Sequence, residues 1–84
     1  MPSLSDLIKK APQAVKDKYK MKIREKAIER VKEKIIEHEK KIDDYSDDEM
    51  EAMIAEEQGR LNDDVRQGIL TTLLVAAGID ILLL

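Results

Sequence analysis

The last sixteen residues, from Ile69 to Leu84, place the strongest constraint on how this chain can fold. Ten of them are Leu, Ile or Val, and Asp80 is their only charged side chain. In a helix, such a segment presents apolar side chains in every direction, and one neighbouring helix covers only a stripe of them. We therefore expect the segment to be surrounded by other protein subunits or by lipid.

The length of this segment argues against a simple membrane crossing. Sixteen helical residues extend about 24 Å, whereas the hydrocarbon core of a bilayer is roughly 30 Å thick. Asp80 adds up to about 3.5 kcal/mol to the free energy of insertion at the bilayer centre. Gly68, Thr72 and Ala76 recur at four-residue spacing, which lets two helices approach closely. Partial insertion and burial between protein helices both stay open.

The composition excludes several classes of protein. The chain has 84 residues, enough for a single domain over residues 1–84, with no Cys, no Phe, no Trp and two Tyr. The lack of cysteine excludes a disulfide framework, a thiolate zinc finger and a thioredoxin-type redox site. Two aromatic residues are too few for a module that stacks nucleic-acid bases.

Charge divides the chain into four segments. Residues 1–43 form a basic amphipathic arm with 13 basic and 8 acidic residues. Residues 44–49 form an acidic turn and cap, residues 50–68 an acidic amphipathic helix, and residues 69–84 the apolar C-terminal helix. From residue 44 to 68, nine acidic residues accompany two basic ones. Such asymmetry concerns association with partners rather than the fold.

Apolar spacing predicts one long helix between Pro12 and Ile42. Its apolar residues recur at steps of four, namely Val15, Tyr19, Ile23, Ala27, Val31 and Ile35. Proline suits the first turn of a helix, where its missing N–H costs nothing. A short helix capped by Ser3 or Ser5 is expected before it.

A second helix is predicted from Asp47 to near Leu84. Ser46 and Glu49 match a capping box, in which each side chain accepts a hydrogen bond from the other residue's backbone. The chain is expected to bend at Pro12 or at Gly68, and the sequence does not choose between them.

The predicted fold is all-α. It is an antiparallel hairpin of two long helices, with a short N-terminal helix, and it is completed by oligomerisation or membrane contact. A turn near Tyr45 would place the N-terminal residues beside residues 69–84. The lysines of that N-terminal region (Lys9, Lys10, Lys16, Lys18 and Lys20) would then form a basic surface near the apolar helix, suited to anionic headgroups.

Candidate chemistry along the chain is sparse. His38 is the only histidine, and a catalytic base needs an oriented partner and a cleft. Asp44, Ser46 and Asp48 alternate like calcium ligands, but Glu49 replaces the glycine that an EF-hand loop requires. We therefore expect no enzyme activity, no metal site and no cofactor.

The leading functional prediction is a non-catalytic structural or interaction subunit. It self-assembles through the apolar C-terminal helix, with a second copy or another helical protein as partner. The predicted contact residues, for assembly or for lipid, are Ile69, Leu70, Leu73, Leu74, Val75, Ala76, Ile79, Ile81, Leu82 and Leu83.

Two other functions stay open at this point. The first is a peripheral or tail-inserted membrane protein that combines the basic N-terminus with residues 69–84. The second is a nucleic-acid-associated basic helix, which the interleaved glutamates disfavour. The N-terminus has no apolar leader, so we expect an intracellular or virion-associated protein, membrane-associated under the first alternative, and no cleaved signal peptide.

Overall fold

The computed structural model describes residues 3–79, and every regular element in that range is helical. The elements are α1 (Leu4–Lys10), α2 (Gln13–Glu37), a 3-10 helix (Ile42–Asp44), α3 (Asp47–Arg60) and α4 (Asp63–Ala76). The all-α prediction is confirmed. The prediction of two long helices is wrong, because the second arm is divided into α3 and α4.

Helix starts follow the capping residues that the sequence displays. Ser3 caps α1, and its hydroxyl accepts from the backbone N–H of Asp6 at 3.2 Å. Ser46 caps α3, and its hydroxyl accepts from the N–H of Glu49 at 3.1 Å. In both cases the acidic side chain also accepts a hydrogen bond from the backbone N–H of the capping serine, so both capping boxes are complete.

The second arm breaks at Leu61 and Asn62, and not at Gly68. Asn62 caps α4 with its side-chain oxygen, which accepts from the N–H of Val65 at 2.9 Å. Gly68 lies inside α4. An asparagine cap starts a new helix directly, whereas an interior glycine only costs about 1 kcal/mol relative to alanine.

The C-terminal end of α4 is closed by a Schellman motif. Gly78 adopts a left-handed φ of 79°, its N–H donates to Val75 O at 3.0 Å, and the N–H of Ile79 donates to Leu74 O at 3.0 Å. The helix predicted across residues 69–84 therefore stops at Ala76. Residues 80–84 lie outside the described residues.

The C-terminal end of α2 is closed by the same motif, without a glycine. Glu39 has a φ of 57°, its N–H donates to Ile36 O at 3.0 Å, and the N–H of Lys40 donates to Ile35 O at 3.0 Å. A left-handed conformation costs a side-chain-bearing residue about 1–2 kcal/mol. α2 therefore ends five residues earlier than Ile42 and carries local strain at Glu39.

The chain forms two compact units, and α2 contributes residues to both. Unit 1 comprises residues 1–23 and 62–84, of which 3–23 and 62–79 are described. In it α1 packs against α4, so the predicted placement of the N-terminal residues beside the C-terminal helix is confirmed. The residues buried in unit 1 are Leu7, Ala11, Val15, Tyr19, Ile23, Leu70 and Leu74.

Unit 1 hides part of the apolar segment within a single chain. Leu70 and Leu74 are both 0% exposed. The prediction that other subunits or lipid surround the segment is therefore wrong for these two leucines, because α1 packs against α4 within the same chain. Tyr19 is buried as well, and its hydroxyl has no hydrogen-bond partner within residues 3–79. Its ring, rather than its hydroxyl, serves the packing.

Unit 2 comprises residues 24–61 and has its own core. Ala27, Val31, Ile35 and Ile54 form that core, with Ile28, Tyr45, Met50 and Met53 partly buried against it. Two ion pairs join α2 to α3, from Arg24 to Glu51 and from Lys34 to Glu57. The residue earlier in α2 pairs with the residue earlier in α3, which is not the order of an antiparallel hairpin. The antiparallel arrangement is not confirmed.

Two glycine substitutions near the C-terminal end of α2 test whether Glu39 is strained. Glu39→Gly should raise the free energy of unfolding by about 1 kcal/mol, because glycine adopts the left-handed conformation without strain. Glu37→Gly should lower it by about 1 kcal/mol, because that residue is helical. Urea denaturation followed by circular dichroism measures both, and each variant removes the same charge. Equal effects of the same sign would contradict the assignment.

Candidate interaction surface

α4 carries most of the residues predicted to contact a partner, and polar residues fix where it starts. Asp63 and Asp64 occupy its first turn, where the positive end of the helix dipole favours acidic side chains. From Gln67 to Ile79 no residue carries a charged side chain. The helix therefore changes from acidic to uncharged after about one turn.

The inner face of α4 belongs to the core of the chain. Leu70 and Leu74 have no exposed surface, and Ile69, Leu73 and Ile79 are half-buried. A partner or a lipid could reach the first two only if α4 left unit 1. Their predicted role in assembly stays a prediction that requires this displacement.

The outer face of α4 is exposed and apolar. Val75 is 61% exposed, and Gly68, Thr72 and Ala76 are exposed beside it. The Thr72 hydroxyl donates to the Gly68 carbonyl at 2.9 Å, so this polar group is satisfied by its own helix. We call these four residues the α4 outer face. The other predicted contacts, Ile81, Leu82 and Leu83, lie outside the described residues.

The predicted basic surface lies in unit 1. Lys9 and Lys10 are exposed at the end of α1, Lys18 and Lys20 are exposed on α2, and Lys16 is half-buried. None of the five forms an ion pair within residues 3–79. Their charge is directed to solvent.

In unit 2, several cations are paired instead. Arg24 donates two hydrogen bonds to Glu51, at 3.2 and 2.5 Å, and this contact lowers the pKa of Glu51 and raises the pKa of Arg24. Lys26 lies 3.8 Å from Glu29. Both pairs are exposed to water, so they orient side chains more than they stabilise the fold.

A buried carboxylate joins α2 to α3. Glu57 is 4% exposed, and it accepts hydrogen bonds from Lys34 and, at 3.2 Å, from Arg60. The Lys34 hydrogen bond is the main cause that lowers the pKa of Glu57, against the opposing effect of its burial. The charges of Lys34, Arg60 and Arg30 lower the pKa further.

Sequence reasoning missed Glu57, although a signal was present. The residue lies three positions after Ile54 and four before Leu61, on the apolar stripe of this part of the chain. A charged residue at a position that the period assigns to the core indicates a paired charge. The contact with Lys34 could not be read from spacing, since 23 residues separate the two.

The described residues contain no metal-binding arrangement. His38 is exposed beyond the end of α2. Across residues 3–79, no group of three or more His, Asp or Glu side chains is arranged to hold a metal ion. In the same range, no helix is both long enough and apolar enough to cross a bilayer.

Comparison with known proteins adds no relative: no protein-family model, no curated protein and no solved structure matches the chain.

The Glu57 pair predicts a defined pH dependence of stability. At pH values above 4.5, the ordinary pKa of this carboxyl, Glu57 is ionised, and the wild type should be more stable than Glu57→Gln by about 1 kcal/mol. This figure is small for a buried ion pair because the Lys34 side chain is partly exposed to water. The lowered folded pKa means that the unfolded chain takes up this proton first as the pH falls. The advantage should therefore shrink below 4.5 and vanish below the folded pKa.

Urea denaturation of both proteins at about pH 7 and about pH 3 measures this difference. Glu56→Gln, an exposed neighbour that pairs with Arg60 at 2.5 Å, is the control and should change little. A difference between wild type and Glu57→Gln that stays constant over the pH range would contradict the assignment.

Proposed function

We propose that this chain is a non-catalytic interaction subunit that self-assembles through the α4 outer face. The observation that carries the proposal is the absence of charge from Gln67 to Ile79, on a helix whose inner leucines are already buried. A helix at the surface of a monomeric soluble protein presents charged residues to water on its outer face. α4 presents Val75 and small residues instead.

A second copy is the partner that we favour. The α4 outer face has small side chains at Gly68 and Ala76 and an internally satisfied hydroxyl at Thr72. Two such faces can approach closely without burying an unpaired polar group from these residues. A dimer with two-fold symmetry would use the same patch on both copies, and two-fold symmetry is the commonest among soluble oligomers.

Val75 is the residue whose substitution tests the proposal. Sedimentation velocity over a concentration series in lipid-free buffer should detect a reversible oligomer of the wild type. Val75→Glu should weaken self-association by at least about tenfold, because a carboxylate would lose hydration at the contact without gaining a partner. Ile36→Glu is the matched control, since Ile36 is 73% exposed in unit 2, and it should assemble like the wild type. A monomeric wild type, or equal losses in both variants, would contradict the proposal.

Gly68 allows folding and association to be separated. A Cβ atom added at Gly68 or at Gly59 would meet no atom within 4 Å in this chain, and both glycines lie inside helices. Gly68→Gln and Gly59→Gln should therefore each raise the free energy of unfolding of the monomer, by about 0.5–1 kcal/mol.

Only Gly68→Gln should weaken association, because its side chain would stand between two α4 outer faces. Thermal denaturation of dilute samples measures the first effect, and sedimentation measures the second. Equal association of the two variants would place the contact elsewhere.

A further inference from the structure

Four exposed lysines of unit 1 have no ion pair within residues 3–79, whereas several cations of unit 2 have carboxylate partners. Lys9, Lys10, Lys18 and Lys20 are exposed and form no ion pair within residues 3–79. In unit 2 the cations with carboxylate partners include Arg24, Lys26, Lys34 and Arg60. Arg24 and Lys34 of α2 pair with carboxylates of α3, whereas Lys18 and Lys20 of the same helix belong to unit 1.

Net charge follows the same division. The described residues of unit 1 include seven basic and four acidic side chains, whereas residues 24–61 include eight basic and thirteen acidic ones. Of the four acids in the described part of unit 1, Asp63 and Asp64 lie in the first turn of α4 and Asp6 completes the cap of α1. The fourth, Asp17, lies between Lys16 and Lys18 in sequence and accepts a hydrogen bond from Gln13 at 3.0 Å. The acids are outnumbered, so the described part of unit 1 carries a net positive charge that favours an anionic partner.

An apolar side chain lies next to two of these lysines on α2. Met21 is 62% exposed, directly follows Lys20, and stands one helical turn after Lys18. A bilayer surface accommodates both kinds of group, because lysine ammonium groups reach phosphates while an apolar side chain rests at the headgroup boundary.

A polynucleotide fits these residues less well. Single-stranded nucleic acid is bound mainly by stacking on aromatic rings. Of the two tyrosines, Tyr19 is buried at 9% exposure and Tyr45 packs against the core of unit 2. Tyr19, the one tyrosine of unit 1, therefore presents little ring surface to a base.

We propose that unit 1 binds the surface of an anionic bilayer through Lys9, Lys10, Lys18 and Lys20, with Met21 at the headgroup boundary. The phosphate-bearing headgroups supply the negative charge, and the protein stays on the surface. This attachment uses residues other than the α4 outer face, so it does not rest on self-assembly.

Vesicle flotation of the full chain tests the proposal. The protein should float with phosphatidylcholine vesicles that contain phosphatidylserine, should not float with pure phosphatidylcholine vesicles, and should be released by high salt. The double variant Lys18→Glu, Lys20→Glu should bind anionic vesicles at least about tenfold more weakly.

The double variant Lys40→Glu, Lys41→Glu is the matched control. It changes the total charge equally, at exposed lysines of unit 2, and should bind vesicles like the wild type. Equal losses in the two double variants, or equal binding of the wild type to neutral vesicles, would overturn the proposal.

A third variant separates lipid from nucleic acid. Met21→Gln keeps every charge and should reduce binding to anionic vesicles, while leaving the weak, salt-sensitive binding of a single-stranded oligonucleotide unchanged. Tighter binding of the oligonucleotide than of the vesicles at the same salt concentration would overturn the proposal in favour of nucleic acid. Sedimentation of the lysine variants without lipid should match the wild type, so failure of lipid binding leaves the proposed self-assembly standing.

Discussion

The packing of α1 against α4 is the contact on which the architecture of unit 1, and with it both proposed surfaces, depends. It allows a chain with a strongly apolar end to bury Leu70 and Leu74 without help from another molecule. Full burial of a leucine side chain contributes about 1.5–3 kcal/mol relative to exposure, so these two residues account for a substantial part of the stability of a small unit. The break at Pro12 makes the contact possible, because a continuous helix would carry α1 away from α4.

Burial of one face of α4 also defines what the other face can do. Once Leu70 and Leu74 are covered, the exposed surface of the helix consists of small and apolar residues with Val75 among them. The remaining surface of unit 1 is basic, and much of the acidic charge is carried by unit 2. The uncharged outer face of α4 suits contact with a second copy of the chain, and the positively charged surface suits an anionic bilayer. The two proposals therefore follow from separate features of the same unit.

Local signals in the sequence predicted the helix starts and much of the core, whereas individual side-chain contacts between distant segments, such as that of Lys34 with Glu57, were not predicted. Ser3 and Ser46 cap helices through their side-chain hydroxyls, and the apolar row from Val15 to Ile35 is buried throughout. The break at Asn62 was missed because the apolar pattern continues through it, although asparagine followed by two acids is a cap signal. The predicted hairpin placed the N-terminal residues beside the C-terminal helix, but spacing alone does not show which side chains that contact buries, since α1 and α4 lie more than fifty residues apart in sequence. For the same reason the buried position of Leu70 and Leu74 was not anticipated.

The most direct test of this account is the hydrogen-exchange rate of the Leu70 and Leu74 backbone amides, measured by NMR in a sample dilute enough to be monomeric and free of lipid. The account predicts that both amides are protected nearly as strongly as those of the unit 1 core residues on α2, because a single chain holds α4 in place. Exchange at the rate of an unstructured peptide in the monomer, with protection appearing only on assembly or lipid binding, would contradict it. In that case the apolar helix would be buried by its partners rather than by its own chain.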